Sequence, residues 1–144
     1  MPRSFNAGSS AAAFPSARVL IRCAKIALVN SAPASVPADC QRCGVCCFSE
    51  SDEYVWVTGY DWTQLGGDVD RLAHFIGNRA FMKMSAGHCV ALQISRAADG
   101  SPHFCCSVYD RRPEICRALE RGSPECQGDL ATKTESVAQH LSRT

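Results

Sequence analysis

No apolar run in the sequence approaches the ~20 residues that a bilayer-spanning helix requires. The best candidate, Val19 to Val29, is interrupted by Arg22 and Lys25. That interruption also argues against a secretory leader, which needs an unbroken apolar stretch behind a charged start. Gly-rich nucleotide loops, a nucleophile elbow and paired-carboxylate motifs are all missing, so catalysis has no support at motif level. There is no basic patch interleaved with aromatics, which disfavours nucleic acid as a partner. No repeat of roughly 20 to 50 residues is visible, which removes solenoids and propellers. Acid is missing from residues 1–38, where Arg3, Arg18, Arg22 and Lys25 give a formal +4. The remainder sets 11 bases against 14 acids, a formal −3. A basic, Ser/Ala-rich start has the composition of an organelle transit peptide, of a disordered tail, or of an extension from an early start codon. Residues 1–38 are expected to be a disordered extension and linker, with Ser31 to Pro37 (SAPASVP) as the linker proper.

Cysteine, by contrast, is abundant. Ten occur in 144 residues, at 23, 40, 43, 46, 47, 89, 105, 106, 116 and 126. In a small secreted protein such a count reads as a disulfide framework. Here the expected compartment is a reducing cytosol, where clustered thiols point to metal or redox chemistry. The length, the 46% hydrophobic content and the net charge of +1 suit one soluble globular domain.

The local patterns predict short elements. Tyr54 to Val57 favours a strand. Thr58 or Asp61 caps a helix through Leu65 that Gly66-Gly67 ends, and Asp61 and Glu53 read as solvated lone acids. Val69, Leu72, Phe75 and Ile76 recur at three- and four-residue steps, which predicts a second helix stopped by Gly77-Asn78. Phe81–Met84 and Cys89–Ile94 read as strands around a Ser-Ala-Gly turn. Asp99-Gly100 signals a hairpin before a strand from His103 to Tyr109. Pro113 and Glu114 open a third helix burying Ile115 and Leu119, with Gly122 as its stop. His74 is expected to be solvated and His140 to lie in a polar tail over 131–144. The sum is an α+β fold: a small, metal-stabilised, loop-rich single domain over 39–130, with short strands and two or three short helices. Such a domain stands near the balance of burial against chain entropy, and metal binding adds folding free energy on the order of 10 kcal/mol.

CQRCGVCC, residues 40–47, carries the strongest local signal. Two residues between Cys40 and Cys43 allow a tight turn to bring both sulfurs to one ion, with Gly44 taking the positive φ such knuckles use. Cys46 repeats the spacing. Cys47 follows at once, and in extended backbone neighbouring side chains point to opposite sides, so the pair is expected to face two sites or two ions of one cluster. Cys89, Cys105 or Cys106, Cys116 and Cys126 supply long-range thiols, with Cys106 rather than Cys105 pointing inward. Cys23 and Cys105 read as small buried hydrophobes. His88 and His103 read as surface or turn residues rather than ligands.

The order CQRCGVCC, GHCVAL, CSVYDRRPEICR, GSPEC resembles the YkgJ-type cysteine-cluster family of zinc- or iron-chelating CxxCxxCC proteins, over about residues 39–128. The resemblance implies metal ligation by Cys40, Cys43, Cys46, Cys47, Cys89, Cys106, Cys116 and Cys126. Tyr109, Arg111 or Arg112, Pro113 and Arg117 share the third block, and an arginine there would offset thiolate charge. Asp110 with a neighbouring arginine reads as a turn-closing ion pair. All-thiolate ligation suits zinc and iron–sulfur clusters. Three classes remain: a structural or metal-handling module binding zinc or iron in one or two sites, an iron–sulfur electron carrier or part of a redox enzyme, and a cluster-dependent enzyme. The last has no motif behind it, and a closed four-thiolate site has no open position for substrate. The expected partner is the metal ion, with neither nucleic acid nor membrane.

Overall fold

The computed structural model describes residues 35–143. Residues 1–34, with the basic start, Cys23 and most of the expected linker, lie outside the described residues. The α+β expectation holds: short antiparallel strands and short helices alternate, with one longer helix at the end.

Two 3-10 turns, Cys40–Arg42 and Val45–Cys47, form the cysteine knuckle. Asp39 accepts from the Gln41 N–H at 2.8 Å, and Cys40 O accepts from the amides of Cys43 and Gly44. Gly44 has φ 65°, and a Cβ there would meet the Phe104 ring at 2.5 Å, so only glycine fits. Strand β1 (Trp56–Val57) leads into helix α1 (Gly59–Leu65). Thr58 opens α1 with a capping box: its hydroxyl accepts from Asp61 N–H, and the Asp61 carboxylate accepts from Thr58 N–H at 3.0 Å.

Asp61 is not solvated. It is fully buried, because its second oxygen accepts the Glu114 N–H at 3.0 Å and lies 3.6 Å from the Arg117 guanidinium. A buried carboxylate survives when hydrogen bonds and a cation replace its water.

Helix α2 spans only Val69–Leu72, and the chain then turns into strand β2 (Ala73–Ile76). The three- and four-step apolar recurrence is therefore not a helix face. Strand β3 (Arg79–Met82) lies close in sequence, and pairing with it competes successfully with further helix. Gly77-Asn78 is the hairpin turn between the two, with Gly77 at φ 60°. The sheet order is β1-β3-β2. A second hairpin joins β4 (Met84–Ser85) and β5 (His88–Cys89) through Ala86-Gly87, and a third joins β6 (Leu92–Arg96) and β7 (Pro102–Cys106) through the expected Asp99-Gly100 turn.

Helix α3 (Glu114–Ala118) makes little more than one turn. It does not bury Ile115, which is 49% exposed, and instead packs Cys116 against the core. Helix α4 runs Pro124–Ser142 with Ser123 as its cap. It includes residues 131–142, expected as a polar tail, and buries Leu130 and Val137. Among the described residues no helix is long and apolar enough to cross a membrane.

Two packing clusters make the core. The first gathers Val57, Leu65, Leu72, Met82 and Val108 around the three-stranded sheet, and the second gathers Val45, Phe48, Leu92, Phe104, Leu130 and Val137 under α4. Thiols lie on both: Cys89, Cys106 and Cys116 with the first, and Cys43, Cys47 and Cys126 with the second.

Candidate metal centre

The nine described cysteines are free thiols; Cys89 is buried, Cys40 exposed, the rest half-buried. The knuckle supplies Cys40, Cys43, Cys46 and Cys47. Strand β5 supplies Cys89, β7 Cys106, α3 Cys116 and the first turn of α4 Cys126.

Cys46 and Cys47 do not diverge as extended residues would. Val45–Cys47 is a 3-10 turn, and the two side chains hydrogen-bond each other. Cys47 donates, which holds the Cys46 thiol well below its usual pKa, while the same bond and burial push Cys47 up.

The remaining thiols sort by their influence on one another. Burial raises Cys40 and Cys43, and charge on Cys46 or Cys126 raises both further. Burial first, then charge on Cys89, Cys106 and Cys46, raise Cys116 to about 12. Burial likewise raises Cys89 and Cys106, with Cys106 acting on Cys89 and Cys46 on Cys106. Cys47 feels Cys89 and Cys116. The eight thiols thus form two neighbourhoods meeting at the Cys46–Cys47 contact. Cys105, its sulfur turned to the Cys106 carbonyl at 3.9 Å, also acts on Cys106.

Of the arginines in the third block, Arg112 alone acts on the thiols. Arg112 is the arginine whose charge lowers Cys106 and Cys116, and it stacks on Tyr109 at 3.8 Å. Arg111 turns away to cap the end of α1, donating to Leu65 O at 2.9 Å and pairing with Asp68 at 2.9 Å. That Asp68 pair replaces the expected turn-closing pair with Asp110. Arg117 reaches Arg112 O and Asp61 rather than a sulfur.

Sequence reasoning missed Arg121 and the trio Tyr54, Asp129 and Lys133. Arg121 donates to Pro37 O and Ala38 O at 3.1 and 3.0 Å, and its charge lowers Cys40. Lys133 pairs with Asp129 at 2.7 Å and lies over the Tyr54 ring; the Asp129 charge raises Cys46, and that of Lys133 offsets it in part. The four-residue spacing of Asp129 and Lys133 was the available signal, legible only once a helix is assigned there.

His88 donates from Nδ1 to Cys89 O at 2.9 Å and packs against Phe48 and His140. His140 therefore stands in a packed ring cluster on α4. His74 is not solvated at its tip: its Nε2 is buried without a hydrogen-bond partner among the described residues.

The donor chemistry fits a borderline or soft metal. The arrangement is not a closed ligand sphere, since no group of three or more His, Cys, Asp or Glu side chains among the described residues is disposed to hold a metal ion. Comparison with protein families matches residues 39–138 to CxxCxxCC, described as a "putative zinc- or iron-chelating domain". Searches of curated proteins and of solved structures found no match.

Proposed function

As the chain belongs to the CxxCxxCC family, whose domain is zinc- or iron-chelating by description, we propose that it binds metal through Cys40, Cys43, Cys46, Cys47, Cys89, Cys106, Cys116 and Cys126. One observation carries this reading: five segments bring thiols to the two packing clusters, Cys89, Cys106 and Cys116 to the first and Cys43, Cys47 and Cys126 to the second. Arg112, Arg121 and Lys133 supply positive charge beside sulfurs that become thiolates on ligation. A structural or metal-handling role fits thiols that lie on both packing clusters, and zinc suits such an all-thiolate structural site. A site of this kind needs a reducing compartment, and the cytosol is the one expected.

Anaerobic purification of the full chain, with bound metal and visible spectrum measured, tests the reading. The expected product is colourless, carries zinc, and loses it in Cys43→Ser and Cys116→Ser variants. A brown, iron-containing protein replaces zinc by an iron–sulfur cluster and the role by electron transfer or redox catalysis. A folded, metal-free chain that takes up neither metal overturns the proposal.

A further inference from the structure

Helix α4 carries charge on the face it turns inward. From Pro124 to Gln139 the residues that are not exposed are Cys126, Asp129, Leu130, Lys133 and Val137. Their steps of three and four place them on one side of the helix. The side chains of Asp129 and Lys133 are only 17% and 19% exposed. Burying a charged pair costs free energy that apolar residues at the same positions would not. Leu130 and Val137, seven apart, form a nearly straight apolar line, and such a line resists rolling of the helix about its axis poorly. At about 100° per residue, Asp129 and Lys133 stand to one side of that line.

Both charged residues meet Tyr54, which lies 75 and 79 positions away in sequence. Tyr54 OH donates to the Asp129 carboxylate at 3.2 Å and accepts from Lys133 Nζ, while Lys133 pairs with Asp129 at 2.7 Å. Each of the three is thus bonded to both others, and Lys133 Nζ also lies 3.9 Å from the centre of the Tyr54 ring. Tyr54 precedes β1 and packs on the first cluster, whereas α4 packs on the second. The triangle stands among the thiols. Asp129 and Lys133 act on Cys46 with opposite sign, and burial first, then Asp129, Cys46 and Cys47, push Tyr54 up. Cys126 lies one turn ahead of Asp129 on the same face, and its charge acts on Cys40 and Cys43.

We infer that Tyr54, Asp129 and Lys133 are positioning residues of the metal site: their triangle fixes the roll of α4 and so holds the Cys126 thiol toward the knuckle. This role rests on the metal-binding proposal and extends it to residues outside the eight cysteines. None of the three needs to touch metal, because the Asp129 carboxylate is already engaged by Tyr54 and Lys133. The gain is preorganisation, since a thiol already held in place does not draw its ordering cost from the free energy of ligation. Directional hydrogen bonds suit that task better than apolar contacts, which tolerate sliding.

Tyr54→Phe is the test, since it removes one hydroxyl, keeps the ring and changes no charge. The full chain, stripped of metal and kept reduced under anaerobic conditions, is titrated with cobalt(II) against a competing chelator, with thiolate-to-cobalt absorption as the readout. Tyr54→Phe should bind cobalt about tenfold more weakly than the parent, with the same far-UV spectrum and the same cobalt content at saturation. In the metal-free chain, alkylation by iodoacetamide, mapped by mass spectrometry, should be about threefold faster at Cys126 and unchanged at Cys89 on the first cluster. Unchanged cobalt affinity, in a parent that binds cobalt, overturns the inference alone. Equal acceleration at both thiols, no acceleration at Cys126, or a lost far-UV spectrum marks a merely structural brace and overturns it too. A parent chain that takes up no cobalt overturns the metal-binding reading itself, and the parent titration shows this before any variant is compared.

Discussion

At Gly44 two independent constraints meet: a left-handed backbone and the Phe104 ring where a Cβ would stand. Gly44→Ala should cost about 2 kcal/mol or more, read as a lowered thermal midpoint, because strain and clash add. Asp61→Ala should cost about 3 kcal/mol by denaturant titration, since it strips the Thr58 cap and orphans the part-buried Glu114 N–H. Asp99 offers a pH test. Its carboxylate is held down to about 2 by the Ser101 hydroxyl and amide, with Arg42 at 3.2 Å. A folded-state pKa below the ordinary one stabilises the ionised form, so its support for the β6–β7 turn is complete above about pH 4 and fades as pH falls through about 2. Chemical shifts of the Ser101 amide should follow that titration. The left-handed backbone at Gly44 and the Thr58 cap were legible in the sequence because their causes are local; the Phe104 ring over Gly44 was not. The burial of Asp61 was not, since its decisive partner is 53 positions away.

At the scale of elements, helical spacing misled where pairing decided. Val69, Leu72, Phe75 and Ile76 fit a helix by step, but Gly77-Asn78 lets β2 fold back on β3, and the four residues split between two elements. The hairpin at Asp99-Gly100 was legible because its turn chemistry is local. Helix α4 was underestimated, because few of its residues are apolar; Leu130 and Val137, seven apart, are the buried ones. A chain ending after Leu130 should therefore lose several kcal/mol of stability in urea titration, as Val137 and Leu141 leave the second cluster. Unchanged stability would return residues 131–144 to the status of a tail.

For the whole molecule, thiols lie on both packing clusters, and metal ligation that bridged them would tie their unfolding together. Stripping metal with a strong chelator should lower the thermal midpoint and split one calorimetric transition into two; a single, unshifted transition would remove metal from the stability of the fold. Spacing and resemblance nominated the eight cysteines of the proposal, whereas the Cys46–Cys47 contact was not legible, because it depends on a 3-10 turn where extended backbone was assumed. The Arg121 clamp on Pro37 and Ala38 has a mechanical meaning. Tension on the chain ahead of Ser35 reaches this guanidinium two residues before Cys40, so a pulling load is diverted into the loop ahead of α4 and spares the knuckle until the clamp yields.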